Sequence, residues 1–309
     1  VRSPTSPDPP VTGATRSVRY HDGRMTQGDP AEAWAGIGLA DPSITEDDIA
    51  AVVRVLRSGW LTSGPEAAAL EEELAEYLGC PHVVAVSSAT AALELSFAWL
   101  DLPPGARVGV PTWTFPASAI APYHHGGQIV LLDADPADMN VSLAAVDAAL
   151  EQGLDAIVLV HFGGTPVSEA VHRRCEEAGV PIVEDAAHAF GASDHRGRIA
   201  GAGTAGAAFS FYATKNLTSG EGGALATDDP ELARFATAFR LHGLTRKAGA
   251  AWDPDASTDV LGPGYKANLS DILAALARSQ LHRFDDMQAR RRAAVRRYRA
   301  NLAGIPELD

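Results

Sequence analysis

The 309-residue chain is long enough to bury one large core, and its 46% hydrophobic content is that of a globular protein. Its 25 basic and 39 acidic residues leave a formal charge of −14, which argues against general affinity for nucleic acid or an anionic membrane. Cys80 and Cys175 lack metal-ligand spacing and read as reduced thiols; no apolar run reaches bilayer length and the first residues hold no secretory-type apolar stretch, so a cytoplasmic protein is expected.

Residues 1–35, rich in Pro, Ser, Thr, Gly and Asp, are expected to form a disordered leader. Thr45 followed by Glu46-Asp-Asp48 reads as a capped helix start, with an apolar face of Ile49, Val52, Val53 and Leu56 and a stop at Ser58-Gly59. After the Trp60-Leu-Thr-Ser-Gly-Pro65 loop, a second amphipathic helix runs from Glu66 to Leu78. His82-Val-Val-Ala-Val86 is a β-branched run, and Ser87-Ser-Ala-Thr90 leads from it into a helix. That order of strand, small polar turn and helix places backbone N–H groups and hydroxyls at a positive helix end, which serves as an ordinary N-cap or as a phosphate cradle.

Downstream, strands are predicted at 108–110, 128–132, 156–160 and 180–183, with helices at 116–123, 143–150 and 167–178 between them. Short apolar strands separated by helices imply a mostly parallel sheet covered on both faces, with its ligand beyond the carboxyl ends of the strands. Ser87, Phe115, His161, Asp185 and Lys215 each follow an apolar strand, so one sheet edge presents them together. The lysine strand starts at Phe209 and is read as ending in Lys215; residues 224–227 leave the site, 230–241 are helical, and 245–263 form a polar, mobile loop. Ser270 to Asn301 reads as one long helix with a basic tail, which in so acidic a chain is a solvated face.

Lysine occurs only at 215, 247 and 266, because arginine carries nearly all the positive charge. A Schiff base needs an amine that can lose its proton, which a guanidinium cannot. A site for pyridoxal phosphate needs that lysine, an acid for the pyridine nitrogen, phosphate donors and a flat group against the ring. Lys215 and Asp185 supply the first two; Ser88, Ala89 and Thr90, with Ser210, supply the third. Phe115 is the stacking candidate with Trp113 as its rival, and His188 either orients Asp185 or covers the ring. Gly220, Gly222 and Gly223 allow a sharp turn beside the cofactor.

These segments resemble the DegT/DnrJ/EryC1/StrS family of pyridoxal-phosphate sugar aminotransferases. The likeness lies in Asp41-Pro-Ser, Ser58-Gly-Trp-Leu-Thr-Ser-Gly-Pro65, Val86-Ser-Ser-Ala-Thr-Ala-Ala-Leu93, Pro111-Thr-Trp-Thr-Phe115, Val183-Glu-Asp-Ala-Ala-His-Ala-Phe-Gly-Ala192, Phe209-Ser-Phe-Tyr-Ala-Thr-Lys-Asn216, Gly220-Glu-Gly-Gly223 and Gly264-Tyr-Lys-Ala-Asn-Leu-Ser-Asp271. The resemblance implies a fold-type I (aspartate aminotransferase-like) α/β protein. Its large cofactor domain would span 36–255, and an incomplete small domain would begin at 256–309, since relatives continue past this point. It further implies that Lys215 carries the cofactor, Asp185 binds its ring nitrogen, and Ser88, Ala89 and Ser210 hold its phosphate. Asn268 would serve the phosphate of a partner in a homodimer with shared active sites, and Thr62 and Ser63 would lie near the sugar. The donor is expected to be glutamate and the acceptor a nucleotide-linked keto-sugar. His188 and His161-Phe-Gly-Gly164 lean toward amination at C4, since members acting at C3 more often carry Gln at the His188 position. Ala89 departs from the glycine common there. A cyclitol aminotransferase, a pyridoxamine-phosphate sugar dehydratase (which would carry His in place of Lys215) and a truncated non-catalytic homologue are the alternatives.

Overall fold

The computed structural model describes residues 18–21, 24–27, 41–199, 201, 203–245 and 258–305. Most of the expected leader and most of the expected mobile loop therefore lie outside the described residues. Within the unit 1–41, β1 (Val18–His21) and β2 (Arg24–Gln27) form an antiparallel ladder with Val18 opposite Gln27, a ladder that the leader expectation did not include.

In the unit 42–309, the expected capped helix is α1 (Glu46–Ser58): Thr45 and Asp48 form a reciprocal capping box, and Gly59 ends it in the left-handed region at φ 75°. Its buried face differs from the expected one. Asp48, Ala51 and Val55 point inward, while Ile49 and Leu56 remain 47% and 52% exposed. The polar contacts decide this rotation: Asp48 accepts from Gln280 Nε2 at 3.0 Å and Arg283 Nη2 at 2.6 Å, and Ala51 and Val55 pack on Ala275. The second helix, α2 (Pro65–Leu78), has no side-chain cap of its own at Gly64. Asp271 supplies one from far along the chain, accepting from Gly64 N at 2.7 Å, Ala67 N at 3.0 Å and Glu66 N at 3.2 Å.

Next come β3 (His82–Val86), α3 (Ala89–Leu100), β4 (Arg107–Pro111), α4 (Ala117–His124), β5 (Gln128–Leu132), α5 (Leu143–Glu151), β6 (Ala156–Val160), α6 (Glu169–Glu177) and β7 (Ile182–Asp185). After a small ribbon of β8 (Ser193–Asp194) and β9 (Gly197–Arg198) come β10 (Ala207–Ser210), β11 (Gly223–Thr227) and α7 (Pro230–Phe239). Seven strands form one sheet in the order β3-β11-β10-β7-β6-β4-β5, parallel except for β11. The strand side chains alternate between two cores. Val84, Val86, Val158, Val183, Ala208 and Leu225 meet α3, α4 and α7 on one face. On the other, Val83, Ala85, Phe209 and Ala224 meet α2 and the C-terminal helices, while Ile157, Leu159 and Ile182 meet α5 and α6. Burial of both faces explains why these strands are unbroken apolar runs.

Two sequence expectations are corrected here. The lysine strand ends at Ser210, five residues before Lys215, because the chain then turns to pair Tyr212 with Gly220. The long C-terminal helix is two, α8 (Asp271–His282) and α9 (Phe284–Leu302), broken at Arg283 with φ −117° and ψ 13°. The break lets Arg283 reach Ser43 and Asp48 while Phe284 is fully buried against Tyr77 and Phe190.

Candidate active site

The carboxyl ends of β3, β4, β6, β7 and β10 share one edge of the sheet, and a cavity of about 860 Å³ opens there. Ser88, Ala89 and Thr90 line it from the N-terminus of α3, Asp185 and His188 from the end of β7, and Ser210 and Lys215 from β10 and its turn. Phe115, Trp113 and His161 complete the set of sequence candidates found on its wall. The N-terminus of α3 faces the cavity as a helix end; Ser88 caps it by accepting from Ala91 N at 3.1 Å, and the remaining first-turn amides have no acceptor in the helix itself.

Lys215 is held by the turn rather than by the strand. Its amide donates to Tyr212 O at 2.9 Å, Asn216 Nδ2 donates to Phe190 O at 2.8 Å, and Leu217 is fully buried beneath it. Ser219 N donates to Phe211 O at 2.9 Å, closing the loop back onto the strand. Gly223, where β11 leaves, packs against the turn of Ser88: a Cβ there would lie 2.5 Å from both Ser88 C and Phe209 O. The glycine is thus required for the strand and the helix end to approach each other. Gly164 has φ 85°, and a Cβ on it would meet His188 O at 2.9 Å, so the 161–164 turn also needs a small residue.

Asp185 is 5% exposed and fixed through both oxygens. Ala187 N donates to Oδ1 at 3.1 Å and Ser118 Oγ donates to Oδ2 at 2.6 Å. Ser118 has a single proton and spends it there, so Thr114, 2.7 Å away, donates to Ser118. The sequence reading missed this Thr114–Ser118–Asp185 chain. Its one signal was two hydroxyls four residues apart just past a strand.

Burial lowers the Lys215 pKa below that of an ordinary lysine, against the opposing pull of Asp185. Burial also lowers that of His188, helped by the positive charge of Lys215 and opposed by Asp185. Both effects favour neutral bases beside a carboxylate. His188 makes no hydrogen bond to Asp185 among the described residues; its ring lies 6.4 Å from Phe162, which in turn meets Trp113 at 5.9 Å. Trp113 is therefore engaged with Phe162, while Phe115 is 73% exposed and available for stacking.

Thr62, Ser63 and Asn268 do not line this cavity. They form a separate cluster, in which Asn268 Nδ2 donates to Ser63 Oγ at 2.6 Å, Lys266 Nζ donates to Asn268 Oδ1 at 2.7 Å, and Thr62 O accepts from Asp271 N at 3.2 Å. Tyr212 and Glu221 line the cavity and were not singled out from sequence, since neither belongs to a spacing that announces chemistry. On the opposite face of β7, His172, Glu184 and Asp194 have metal-ligand spacing. Arg196 Nη2 lies 2.6 Å from both acids, so a guanidinium fills the place of a cation.

The residues present fit pyridoxal phosphate. A positive helix end with Ser88, Thr90 and Ser210 suits a phosphate, a carboxylate held by two donors suits a pyridinium, and an amine of lowered pKa suits an aldehyde.

Comparison with known proteins agrees with this chemistry. The DegT/DnrJ/EryC1/StrS aminotransferase family matches residues 42–309. The spore coat polysaccharide biosynthesis protein SpsC of Bacillus subtilis (strain 168) is 40% identical over 273 residues, 86% of this chain and 69% of SpsC. Helicobacter pylori PseC, an aminotransferase involved in the biosynthesis of pseudoaminic acid, superposes with a TM-score of 0.79 at 29% identity, covering 87% of this chain and 71% of PseC. Spr1654 of Streptococcus pneumoniae, solved in a PLP form, has a TM-score of 0.79 at 32% identity, covering 87% of this chain and 72% of Spr1654. The chain belongs to the DegT/DnrJ/EryC1/StrS family of pyridoxal-phosphate-dependent sugar aminotransferases.

Proposed function

We propose that this chain aminates a nucleotide-linked keto-sugar, with glutamate as the amino donor and C4 as the carbon aminated. The observation that carries the reading is the convergence of Lys215, Asp185, His188 and the α3 N-terminus on one cavity. When bound, pyridoxal phosphate supplies an electron-poor ring that makes a proton on the adjacent amine-bearing carbon labile. The chain's own residues do the rest. Asp185, held by Ser118 and Ala187, would keep the ring nitrogen protonated; Ser88, Ala89 and Ser210 would anchor the phosphate; Phe115 would stack on the ring.

Lys215 Nζ, kept toward its neutral form by burial, is the base that takes the proton from the donor's carbon and returns it on the other side of the transfer. In the second half the same amine moves a proton to the sugar carbon. His188 on the cavity wall and Gly163 of the neighbouring 161–164 turn support the C4 assignment. Thr62, Ser63 and Asn268 lie off the cavity of their own chain, which supports a homodimer in which they serve the second copy's site. No described helix is long and apolar enough to cross a membrane, and we place the reaction in the cytoplasm.

Borohydride reduction after incubation with pyridoxal phosphate, followed by peptide mapping, should find the pyridoxyl group on Lys215. Lys215→Ala should abolish both label and turnover. A labelled Lys266 with an unmodified Lys215 would overturn the assignment.

A further inference from the structure

The turn that follows β6 is held by a residue from another connection. Asn140, between β5 and α5, is 2% exposed and reaches three main-chain groups of this turn. Its Oδ1 accepts from Phe162 N at 2.9 Å, and its Nδ2 donates to Thr165 O and Pro166 O, both at 3.2 Å. Asp138 Oδ2, at 3.4 Å, is the most distant acceptor of the same amide. The buried ring of His161 closes the turn from its other end, where Nδ1 accepts from Val167 N at 3.1 Å. Within the turn, Gly164 N donates to His161 O at 3.1 Å and Thr165 N to Phe162 O at 2.9 Å. Two buried side chains thus satisfy the polar groups that the turn does not satisfy internally.

Asn140 is itself preset. Met139 stands at φ 63°, left-handed backbone that a non-glycine residue rarely adopts, while Asp135 N donates to Asn140 O at 2.7 Å and Asn140 N to Asp138 Oδ1 at 2.9 Å. So tight a hold matters because of what the turn carries. Phe162 sets its ring edge-on to that of His188, with centroids 6.4 Å apart, and a Cβ on Gly164 would lie 2.9 Å from the His188 carbonyl oxygen. His188 lines the cavity, and its ring makes no hydrogen bond among the described residues. The ring is therefore placed by the turn and not by a polar partner.

We propose that Asn140 is a positioning residue: by clamping the 161–166 turn it holds His188 against the cofactor ring. The inference rests on the reading of the cavity as a pyridoxal-phosphate site. An amide suits the task because one planar group supplies an acceptor and two donors at fixed angles, matching one N–H and two carbonyls. An imidazole already held in place meets the cofactor without the entropy loss of being ordered on binding.

The test is a double-mutant cycle read by absorbance titration of the apoprotein with pyridoxal phosphate. Asn140→Ala and His188→Ala should each weaken the cofactor about fivefold or more. In the His188→Ala background, Asn140→Ala should cost less than about twofold further, since the ring it places is gone. Ser118→Ala acts at Asp185 and serves as the reference background, in which the full loss from Asn140→Ala should persist. Phe162→Leu leaves the main chain of the turn intact; it should repeat the pattern, and it gives the same reading if Asn140→Ala does not fold. A side chain that only stabilised the fold would lower the melting temperature and leave additive losses in both backgrounds. Additive losses with His188→Ala, equal coupling to Ser118→Ala and His188→Ala, or an unchanged constant in His188→Ala each reject the proposal. Borohydride labelling separates the two levels. A labelled Lys215 with additive losses rejects the clamp alone, whereas an unlabelled Lys215 rejects the cofactor reading itself.

Discussion

Replacing Ser118 with alanine isolates the contribution of the hydrogen-bond chain behind Asp185. Ser118 is fully buried and donates at 2.6 Å to a carboxyl group that is 5% exposed, so water cannot readily replace it. A hydrogen bond to a charged group contributes about 1.5–3 kcal/mol. Ala187 still holds the other oxygen at 3.1 Å, so the carboxyl group loses one of two anchors, not its place. If Asp185 is what holds the ring nitrogen, that energy is drawn from cofactor binding, which should weaken by about 10- to 150-fold. Absorbance titration of the apoprotein with pyridoxal phosphate measures the constant directly. Thr114→Val breaks the next link, at 2.7 Å, and should show a smaller loss in the same direction. Affinity unchanged within about twofold in Ser118→Ala, in a protein that melts normally, would refute the role assigned to the chain.

Other variants probe the scaffold. Asp271→Ala leaves three α2 amides without their acceptor and should cost about 1–3 kcal/mol in urea unfolding, with Asp271→Asn recovering part of it. Gly223→Ala forces a Cβ onto the backbone at Ser88 and Phe209, which should cost about 1–3 kcal/mol and impair phosphate binding through α3. Burial opposes ionisation of Glu184, yet the nearby ring of His161, the hydrogen-bonded His172 at 3.0 Å and the charge of Arg196 outweigh it and hold its pKa well below the usual range. A lowered folded-state pKa stabilises the fold above the unfolded value near pH 4.3, and that gain is lost as pH falls toward the folded value. The acid limb of a stability profile should therefore be shallower in Glu184→Gln than in the parent, and equal slopes would discount Glu184. Burial pushes the Cys175 thiol up to about 11, so at pH 8 only about a thousandth is thiolate and disulfide reagents should leave it untouched until the protein unfolds.

Local chemistry was legible in the residues. Thr45 with Asp48 announced a capping box, and short β-branched runs announced strands that are buried on both faces. The rarity of lysine made Lys215 conspicuous, and Asp185, Ser88 and Phe115 could be aligned with it because parallel strands end on one edge. The burial face of α1 was not legible, since a partly apolar stripe at Ile49 and Leu56 competes with a polar anchor at Asp48 whose partners lie more than 230 residues away. The break at Arg283 had the same origin: a helical pattern is local, whereas Ser43, Asp48 and the aromatic pocket around Phe284 are not.

The sequence by itself determined which groups could do the chemistry, because a nucleophilic amine, a carboxylate and a helix end are properties of residue type and of short spacing. Only the tertiary structure decided how they are held. Ser118 became part of the site when α4 brought its hydroxyl to Asp185 at the end of β7, Lys215 was placed by a turn tied to Phe190, and α9 brought four arginines beside it. Such contacts join residues far apart in the chain, and they exist only once burial of both sheet faces has fixed the layers around them.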